Sequence, residues 1–159
     1  MKALLVYDSQ FGNTEKIARA IGDALNIGGE TILLRAAEAS PAAIAGYDLL
    51  VVGSPTQRFH ATEIVTGLLK GLSLKDVKAA AFDTRFDMDE VDSRMLRMAV
   101  KVAGENAYAA PRIAAELEKA GATLVIPPEG FIVEETEGPL RAGELERAAA
   151  WAGQILASI

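Results

Sequence analysis

Residues 8–14, Asp-Ser-Gln-Phe-Gly-Asn-Thr, constrain the fold more than any other stretch, because of what lies on either side of them. The apolar run from Ala3 to Tyr7 precedes them and is typical of a buried strand. After them, apolar residues recur at helical spacing from Ile17 to Leu25. Together the three segments predict a strand, a tight turn and a helix.

This turn has the chemistry of an anion site. The first N–H groups of a helix have no partner within the helix, and the helix dipole places partial positive charge there. Ser9 and Thr14 add hydroxyl donors, and Gly12 lets the backbone approach a ligand closely. We therefore predict that the turn binds a phosphate monoester. The alternative is an ordinary capped helix start.

Short apolar strands alternate with amphipathic helices along the rest of the chain. The expected strands cover residues 2–7, 31–34, 48–53, 77–83 and 123–126, with 131–133 as a candidate continuation of the last. The expected helices cover residues 13–26, 41–45, 61–72 and 143–156, and two further helical patterns lie between 88 and 117. This alternation predicts an α/β fold, a doubly wound five-stranded parallel sheet with helices on both faces. No linker or repeat interrupts it, so we expect a single domain over residues 1–159.

Polar residues follow three of the predicted strands. These strands end at Asp8-Ser9, Gly53-Ser54 and Asp83-Thr84. In open parallel sheets, ligands bind outside the carboxyl ends of the strands, where the strand order reverses. Three polar loops at one edge, one of them suited to phosphate, predict a ligand with a phosphate tail and a planar head.

Composition narrows the possible functions. The chain has no cysteine, which excludes disulfides, thiolate metal sites and thiol nucleophiles, and a single histidine argues against a zinc site or a Ser-His-Asp triad. The net charge of −6 disfavours nucleic acid and anionic membranes as partners. The sequence shows neither a secretion signal nor an apolar run of the roughly 18–20 residues that a membrane span needs. We therefore expect a cytoplasmic protein with no metal site.

Two segments resemble the flavin loops of flavodoxins. Tyr7 to Ala18, Tyr-Asp-Ser-Gln-Phe-Gly-Asn-Thr-Glu-Lys-Ile-Ala, is similar to their phosphate loop, in which Gly is flanked by Thr or Ser at fixed spacing. Val51 to Thr56, Val-Val-Gly-Ser-Pro-Thr, resembles the second flavin loop, in the form also seen in flavodiiron proteins and related quinone reductases. The order of strands and helices matches through the whole chain. The last strand lacks the insertion of long-chain members, so the chain is similar to a short-chain flavodoxin.

The resemblance implies FMN as the cofactor, a strand order of 2-1-3-4-5 and a set of binding residues. The first turn would hold the FMN phosphate, the second loop would flank one face of the isoalloxazine, and the third would line the other side. The implied phosphate residues are Ser9, Gln10, Phe11, Gly12, Asn13 and Thr14. The implied ring residues are Pro55, Thr56, Gln57, Arg58 and Phe59 on one side, and Asp83, Thr84, Arg85 and Phe86 on the other.

The aromatic residues depart from the family pattern. Many flavodoxins hold the ring between a Trp and a Tyr, whereas Phe59 and Phe86 are the aromatics of these two loops. Trp151, the only tryptophan, lies in the last predicted helix and is expected to be a packing residue. A cation at Arg58 beside the ring would stabilise reduced, anionic flavin and raise the reduction potential of the flavin.

The resemblance implies an electron carrier between redox proteins, acting as a monomer or weak dimer. The alternatives are an FMN-dependent NAD(P)H:quinone oxidoreductase, with segment 87–103 beside its pocket or in a dimer contact, and a flavodoxin fold that has lost FMN. The acidic run from Asp87 to Asp92 predicts a solvated helix start or an acidic docking surface. We interpret Met88, Met95 and Met98 as core residues rather than partner surface, and His60 as a surface residue.

Overall fold

Six strand segments form one parallel sheet in the computed structural model, which describes all 159 residues. They are β1 (Lys2–Tyr7), β2 (Glu30–Arg35), β3 (Leu49–Pro55), β4 (Lys78–Arg85), β5 (Thr123–Leu124) and β6 (Glu129–Ile132). The order across the sheet is β2-β1-β3-β4-β5, and β6 also pairs with β4. The predicted fold class, a doubly wound parallel sheet in the order 2-1-3-4-5, is confirmed.

The fifth predicted strand is formed as two pieces, β5 and β6. β5 pairs with the start of β4, and β6 pairs with its carboxyl end, from Phe82 to Arg85. Pro127 and Pro128 lie between the two pieces, and proline cannot donate a hydrogen bond to the ladder. The strand is therefore interrupted there, and its second half reaches the edge where β1, β3 and β4 end.

Five α-helices lie between the strands, and a sixth follows β6. They are α1 (Asn13–Leu25), α2 (Pro41–Ile44), α3 (Glu63–Lys70), α4 (Arg94–Ala103), α5 (Ala109–Lys119) and α6 (Glu144–Ala157). The predicted bounds of α1, α3 and α6 agree with these to within two residues. None of the helices is both long enough and apolar enough to cross a membrane.

The sheet is buried on both faces, as its continuously apolar strands predict. Successive strand side chains point to opposite faces, so Leu5 and Phe82 pack under α1 and α6, whereas Leu4 and Leu50 pack under α3 and α5. Trp151 packs edge-on against Phe82, with ring centroids 6.2 Å apart. Its expected role as a packing residue is confirmed.

Strand register brings three loops to one edge. Tyr7 pairs with Gly53, and Gly53 pairs with Phe82, so β1, β3 and β4 end close together. The turn after β1, the loop after β3 and the loop after β4 therefore meet at the carboxyl edge of the sheet.

The interpretation of the α4 methionines as core residues is wrong. Met95 is 84% exposed and Met98 is 61% exposed, whereas Val100 on the opposite side of the helix is buried. Apolar residues occur on the outward side of α4 as well as on the side that packs against the protein. The part of this pattern that faces outward is therefore left in solvent.

Candidate functional site

Gly12 sets the shape of the turn between β1 and α1. It precedes the helix with φ +92°, in the left-handed region that favours glycine. No atom lies within 4 Å of the position that its Cβ would take. Glycine is therefore required by backbone conformation, and its surroundings stay open.

Ser9 holds the turn in place. Its Oγ accepts hydrogen bonds from the N–H groups of Gly12 at 3.1 Å and Glu15 at 3.2 Å. Because the oxygen acts twice as an acceptor, its own hydrogen remains free to donate to a ligand. The helix-cap interpretation and the phosphate interpretation of this turn are therefore compatible.

Four N–H groups of the turn have no acceptor in the protein. They belong to Gln10, Phe11, Asn13 and Thr14, and none of them donates a hydrogen bond to another residue. Unpaired N–H groups at a helix start are the donors that a phosphate accepts. The turn contains no Lys or Arg, so its donors are neutral.

Two threonine hydroxyls meet beneath the turn. The Oγ1 atoms of Thr14 and Thr84 lie 2.8 Å apart, and both residues are buried. A single hydrogen bond between two hydroxyls uses only one of their two hydrogens. The other hydrogen remains available, so the pair links the first loop to the third and still offers one donor.

The loop after β3 is held by hydrogen bonds to three neighbouring elements. Ser54 Oγ accepts from the N–H of Thr62 at 3.0 Å, which fixes the start of α3. Thr56 Oγ1 accepts from the N–H of Ala109 at 2.9 Å, at the start of α5. The N–H of Thr56 donates to the carbonyl of Thr84 on β4 at 2.9 Å. The Thr56 hydroxyl therefore caps a helix.

A strained two-residue hairpin follows. Gln57 and His60 exchange backbone hydrogen bonds of 2.8 and 2.9 Å. Arg58 and Phe59 between them have φ of 49° and 73°, values that Asn and Gly adopt more easily in such turns. The Gln57 side chain donates to Gln10 Oε1 at 2.6 Å, so the hairpin is tied to the first turn. Backbone strain of this kind is typical of binding loops.

The third loop begins with a buried ion pair. The Asp83 carboxylate is fully buried and accepts two hydrogen bonds of 2.7 Å from Arg85. Burial raises the pKa of Asp83, and the Arg85 guanidinium and the Ala110 N–H oppose that rise. The guanidinium also lies 3.7 Å from the ring centre of Tyr108. Arg85 is thus held between Asp83 and Tyr108, and its charge is compensated within the protein.

A cleft of about 1220 Å³ crosses this edge of the sheet. It exceeds the roughly 300–1,000 Å³ typical of small-molecule sites. The predicted residues that line it are Ser9, Gln10, Phe11, Asn13, Thr14, Pro55, Thr56, Gln57, Arg58, Thr84, Arg85 and Phe86. Gly12, Phe59 and Asp83 are outside this lining. Gly12 acts through the shape of the turn, and Asp83 acts through Arg85.

Two walls of the cleft were missed by sequence reasoning. The first is α3 and its approach, with Thr62, Ile64 and Lys70. The second is the loop after β6, with Thr136. That loop passes so close to α1 that a Cβ on Gly138 would lie 2.8 Å from the Asn13 side chain. No local pattern indicates this return, because it depends on a contact between distant parts of the chain.

The model of the flavodoxin domain family matches residues 4–106, which is more than half of the chain and includes all three loops. The chain belongs to the flavodoxin domain family. Solved flavodoxins share its fold at low sequence identity. Oxidised flavodoxin 2 from Bacillus cereus is 20% identical with a TM-score of 0.77, and the alignment covers 100% of both chains. Oxidised flavodoxin 1 from the same organism is 14% identical with a TM-score of 0.77, covering 100% of this chain and 99% of that one.

The same fold also occurs within a larger protein. The rubredoxin oxygen:oxidoreductase from Desulfovibrio gigas is 21% identical with a TM-score of 0.73, and the match covers 98% of this chain but 35% of the other. This flavodoxin domain thus matches a portion of that enzyme.

Flavodoxins bind FMN, and the residues of the first turn fit its phosphate. Four N–H groups without acceptors and the free hydroxyl hydrogen of Ser9 supply the donors. The left-handed Gly12 leaves the backbone accessible to a ligand. A phosphate accepts several such donors at once, and charge-assisted hydrogen bonds are stronger than neutral ones.

Proposed function

We propose that this flavodoxin is an FMN-binding electron carrier that passes electrons between redox proteins, acting in the cytoplasm as a single domain. The observation that carries the proposal is the set of four N–H groups, from Gln10 to Thr14, that line the cleft without an acceptor. Bound FMN supplies the one-electron and two-electron chemistry. The protein supplies binding, orientation and electrostatics.

The first turn binds the phosphate with neutral donors. N–H groups of Gln10, Phe11, Asn13 and Thr14 donate to its oxygens, and Ser9 adds its hydroxyl hydrogen while fixing the turn. A chain of net charge −6 opposes a dianion through its overall field. Local N–H donors at a helix start offset that field, because their partial positive charge lies in direct contact with the ligand.

The second and third loops orient the ring. Arg58 of the hairpin and Phe86 line the cleft, and hydrogen bonds hold both loops in place before the ligand binds. Because Arg85 is paired with Asp83, Arg58 is the cation of the two loops that has no ion pair. We therefore assign to Arg58 the stabilisation of negative charge on the reduced ring.

The proposal is tested with the purified protein and FMN in one cuvette. Flavin absorption that stays with the protein after gel filtration, with quenched flavin fluorescence, is the expected result. The photoreduced protein should then pass electrons to ferricytochrome c, a one-electron acceptor, in stopped-flow mixing. Absence of bound flavin at micromolar FMN would exclude the proposed function and leave the fold unaffected.

One observation favours the alternative function of a quinone reductase. The cleft continues along α3 to Lys70, beyond the two ring loops. That space is open to a second substrate. Steady-state oxidation of NADH by the FMN-loaded protein in the presence of a quinone distinguishes the two functions. A carrier shows no turnover until a separate reductase is added, whereas a reductase turns over alone.

A further inference from the structure

The outward side of α4 carries a continuous apolar stripe. Met95, Met98 and Val102 are 84%, 61% and 85% exposed. Residues at these spacings lie side by side on a helix. Methionine side chains are flexible and polarizable, so they adapt to the surface of a partner. The stripe has no partner within the chain.

Three cations lie along the same side of α4, and none of them has a partner carboxylate. Arg94, Arg97 and Lys101 form no ion pair, and no acidic residue occurs between Arg94 and Ala103. Arg97 donates only to the carbonyl of Val91, at 3.0 Å. The surface that these cations share with the apolar stripe is called the α4 face, and it consists of Arg94, Met95, Arg97, Met98, Lys101 and Val102.

The acidic residues before α4 form no ion pair with this face. Asp87 and Glu90 both bind Arg141, at 3.0 and 2.7 Å. Asp89 and Asp92 form no ion pair with the helix. The α4 face therefore carries unpaired positive charge beside exposed apolar side chains, although the chain as a whole has a net charge of −6.

Both ends of the α4 segment lead to the cleft. The chain enters the segment from Arg85 and Phe86, which line the cleft. It leaves through Tyr108, whose ring centre lies 3.7 Å from the Arg85 guanidinium. A protein that covers α4 is therefore close to the third loop of the site.

We propose that the α4 face docks an acidic redox protein, one whose surface carries carboxylates around apolar side chains. This rests on the proposed electron-carrier function. Charge complementarity selects the partner, because three unpaired cations attract carboxylates and set the register of the complex. A membrane fits less well, because an anionic lipid plane faces the whole molecule, whose net charge is −6, whereas a protein can confine its carboxylates to the patch that meets the three cations. Direct pairing of two α4 faces would oppose like charges.

The test measures electron transfer from a photoreduced, acidic plant-type [2Fe–2S] ferredoxin to the oxidised FMN-loaded protein. One electron leaves the ferredoxin iron and enters the flavin. We expect the second-order rate constant to fall about tenfold or more from low to high salt, as electrostatic steering requires. The variants Arg94→Gln/Arg97→Gln/Lys101→Gln and Met95→Ser/Met98→Ser/Val102→Ser should each lower it by about fivefold or more at low salt.

Matched controls lie at the opposite edge of the sheet. Ile27 is 87% exposed after the end of α1, and Lys119 is an exposed cation at the end of α5. Ile27→Ser and Lys119→Gln should leave the rate constant unchanged. All variants should bind FMN with wild-type affinity. Titration calorimetry with oxidised ferredoxin tests docking even without FMN, so failure of the docking proposal and failure of the proposed function are distinguishable.

Several outcomes would overturn the proposal. Rates that do not respond to salt or to either triple variant would show that the α4 face is not the docking surface. Binding to phosphatidylserine vesicles that the charge variant abolishes would assign the face to lipid. Self-association in sedimentation equilibrium that the apolar variant abolishes would assign it to a second copy of the chain.

Discussion

Ser9 shows at the scale of a residue how one side chain serves both fold and ligand. Its oxygen accepts the N–H groups of Gly12 and Glu15, while its hydrogen stays available. A helix cap and a phosphate donor are thus combined in one hydroxyl. This combination was predictable from the sequence, because every group that it needs lies within seven residues.

Ser9→Ala should weaken FMN binding by roughly 10-fold to 100-fold, since charge-assisted hydrogen bonds contribute about 1.5–3 kcal/mol each. Riboflavin, which lacks the phosphate, should bind the variant and the wild type equally. Quenching of flavin fluorescence measures both dissociation constants. An equal loss of affinity for the two flavins would mean that the turn does not hold the phosphate.

Ser40→Ala is the matched control for this change. Ser40 caps α2 by accepting from the N–H of Ala43 at 3.2 Å, away from the cleft. We expect the control to lower the free energy of unfolding by about 0.5–2 kcal/mol, the usual value of a cap. It should leave the affinity for FMN unchanged.

Arg58 combines a charge with backbone strain. Its φ of 49° costs about 1 kcal/mol for a residue with a long side chain, and Asn tolerates this region better. Arg58→Asn should therefore raise the free energy of unfolding of the apoprotein by up to about 1 kcal/mol in urea titration. In the FMN-loaded protein the same change should lower the reduction potential of the flavin, because a positive charge beside the reduced ring is removed. A potential that is unchanged or higher would contradict the role assigned to the cation.

At the scale of secondary-structure elements, the side chain of Arg141 links the loops that follow β4 and β6. Its guanidinium binds Asp87 at 3.0 Å and Glu90 at 2.7 Å in the loop after β4, and Glu134 at 3.2 Å in the loop after β6. The hydrogen bond from Arg141 lowers the pKa of Asp87. The third loop of the site is therefore held by a residue far from it in sequence.

Arg141→Gln should destabilise the protein at pH 7, since three ion pairs that share one guanidinium are lost at once. The pKa of Asp87 is lower in the folded state, so its contribution is present above the unfolded pKa of about 3.9 and is lost as the pH falls through the folded value. The difference between variant and wild type should therefore shrink near pH 3. Urea titrations at the two pH values measure it.

Arg19→Gln is the control for Arg141→Gln. Arg19 pairs only with Glu15, four residues away on α1, and its side chain is largely exposed. Such single exposed pairs contribute little to stability. A destabilisation by Arg141→Gln no larger than that of the control would show that the link between the two loops contributes little.

The elements that sequence reasoning predicted well are those whose signal is local. The helix that starts at Asn13 follows a turn and an apolar period that are contiguous in the chain. The exposure of Met95 and Met98 was not predictable, because periodicity shows that residues share a face and not whether another element covers it. Likewise the contact of Arg85 with Tyr108 joins residues 23 positions apart through packing.

At the scale of the whole molecule, the fold follows from the alternation of strands and helices, and the site follows from the edge where the strands end. All three loops were predicted with most of their cleft-lining residues. Thr136 was missed because it reaches the cleft only through the return of a distant segment. The α3 wall was missed because helical periodicity does not show which side of a helix borders a cleft. The net charge is also a property of the whole molecule. Because the acidic field opposes the FMN phosphate, local N–H and hydroxyl groups must supply its hydrogen bonds.

The most direct test of the account compares the dissociation constants of FMN and riboflavin for the wild-type protein at low and high salt. If the N–H groups from Gln10 to Thr14 hold the phosphate, FMN should bind about 100-fold or more tightly than riboflavin, since at least two charge-assisted hydrogen bonds distinguish them. The preference should persist at high salt, because contact donors are screened little. Equal affinities for the two flavins would contradict the account.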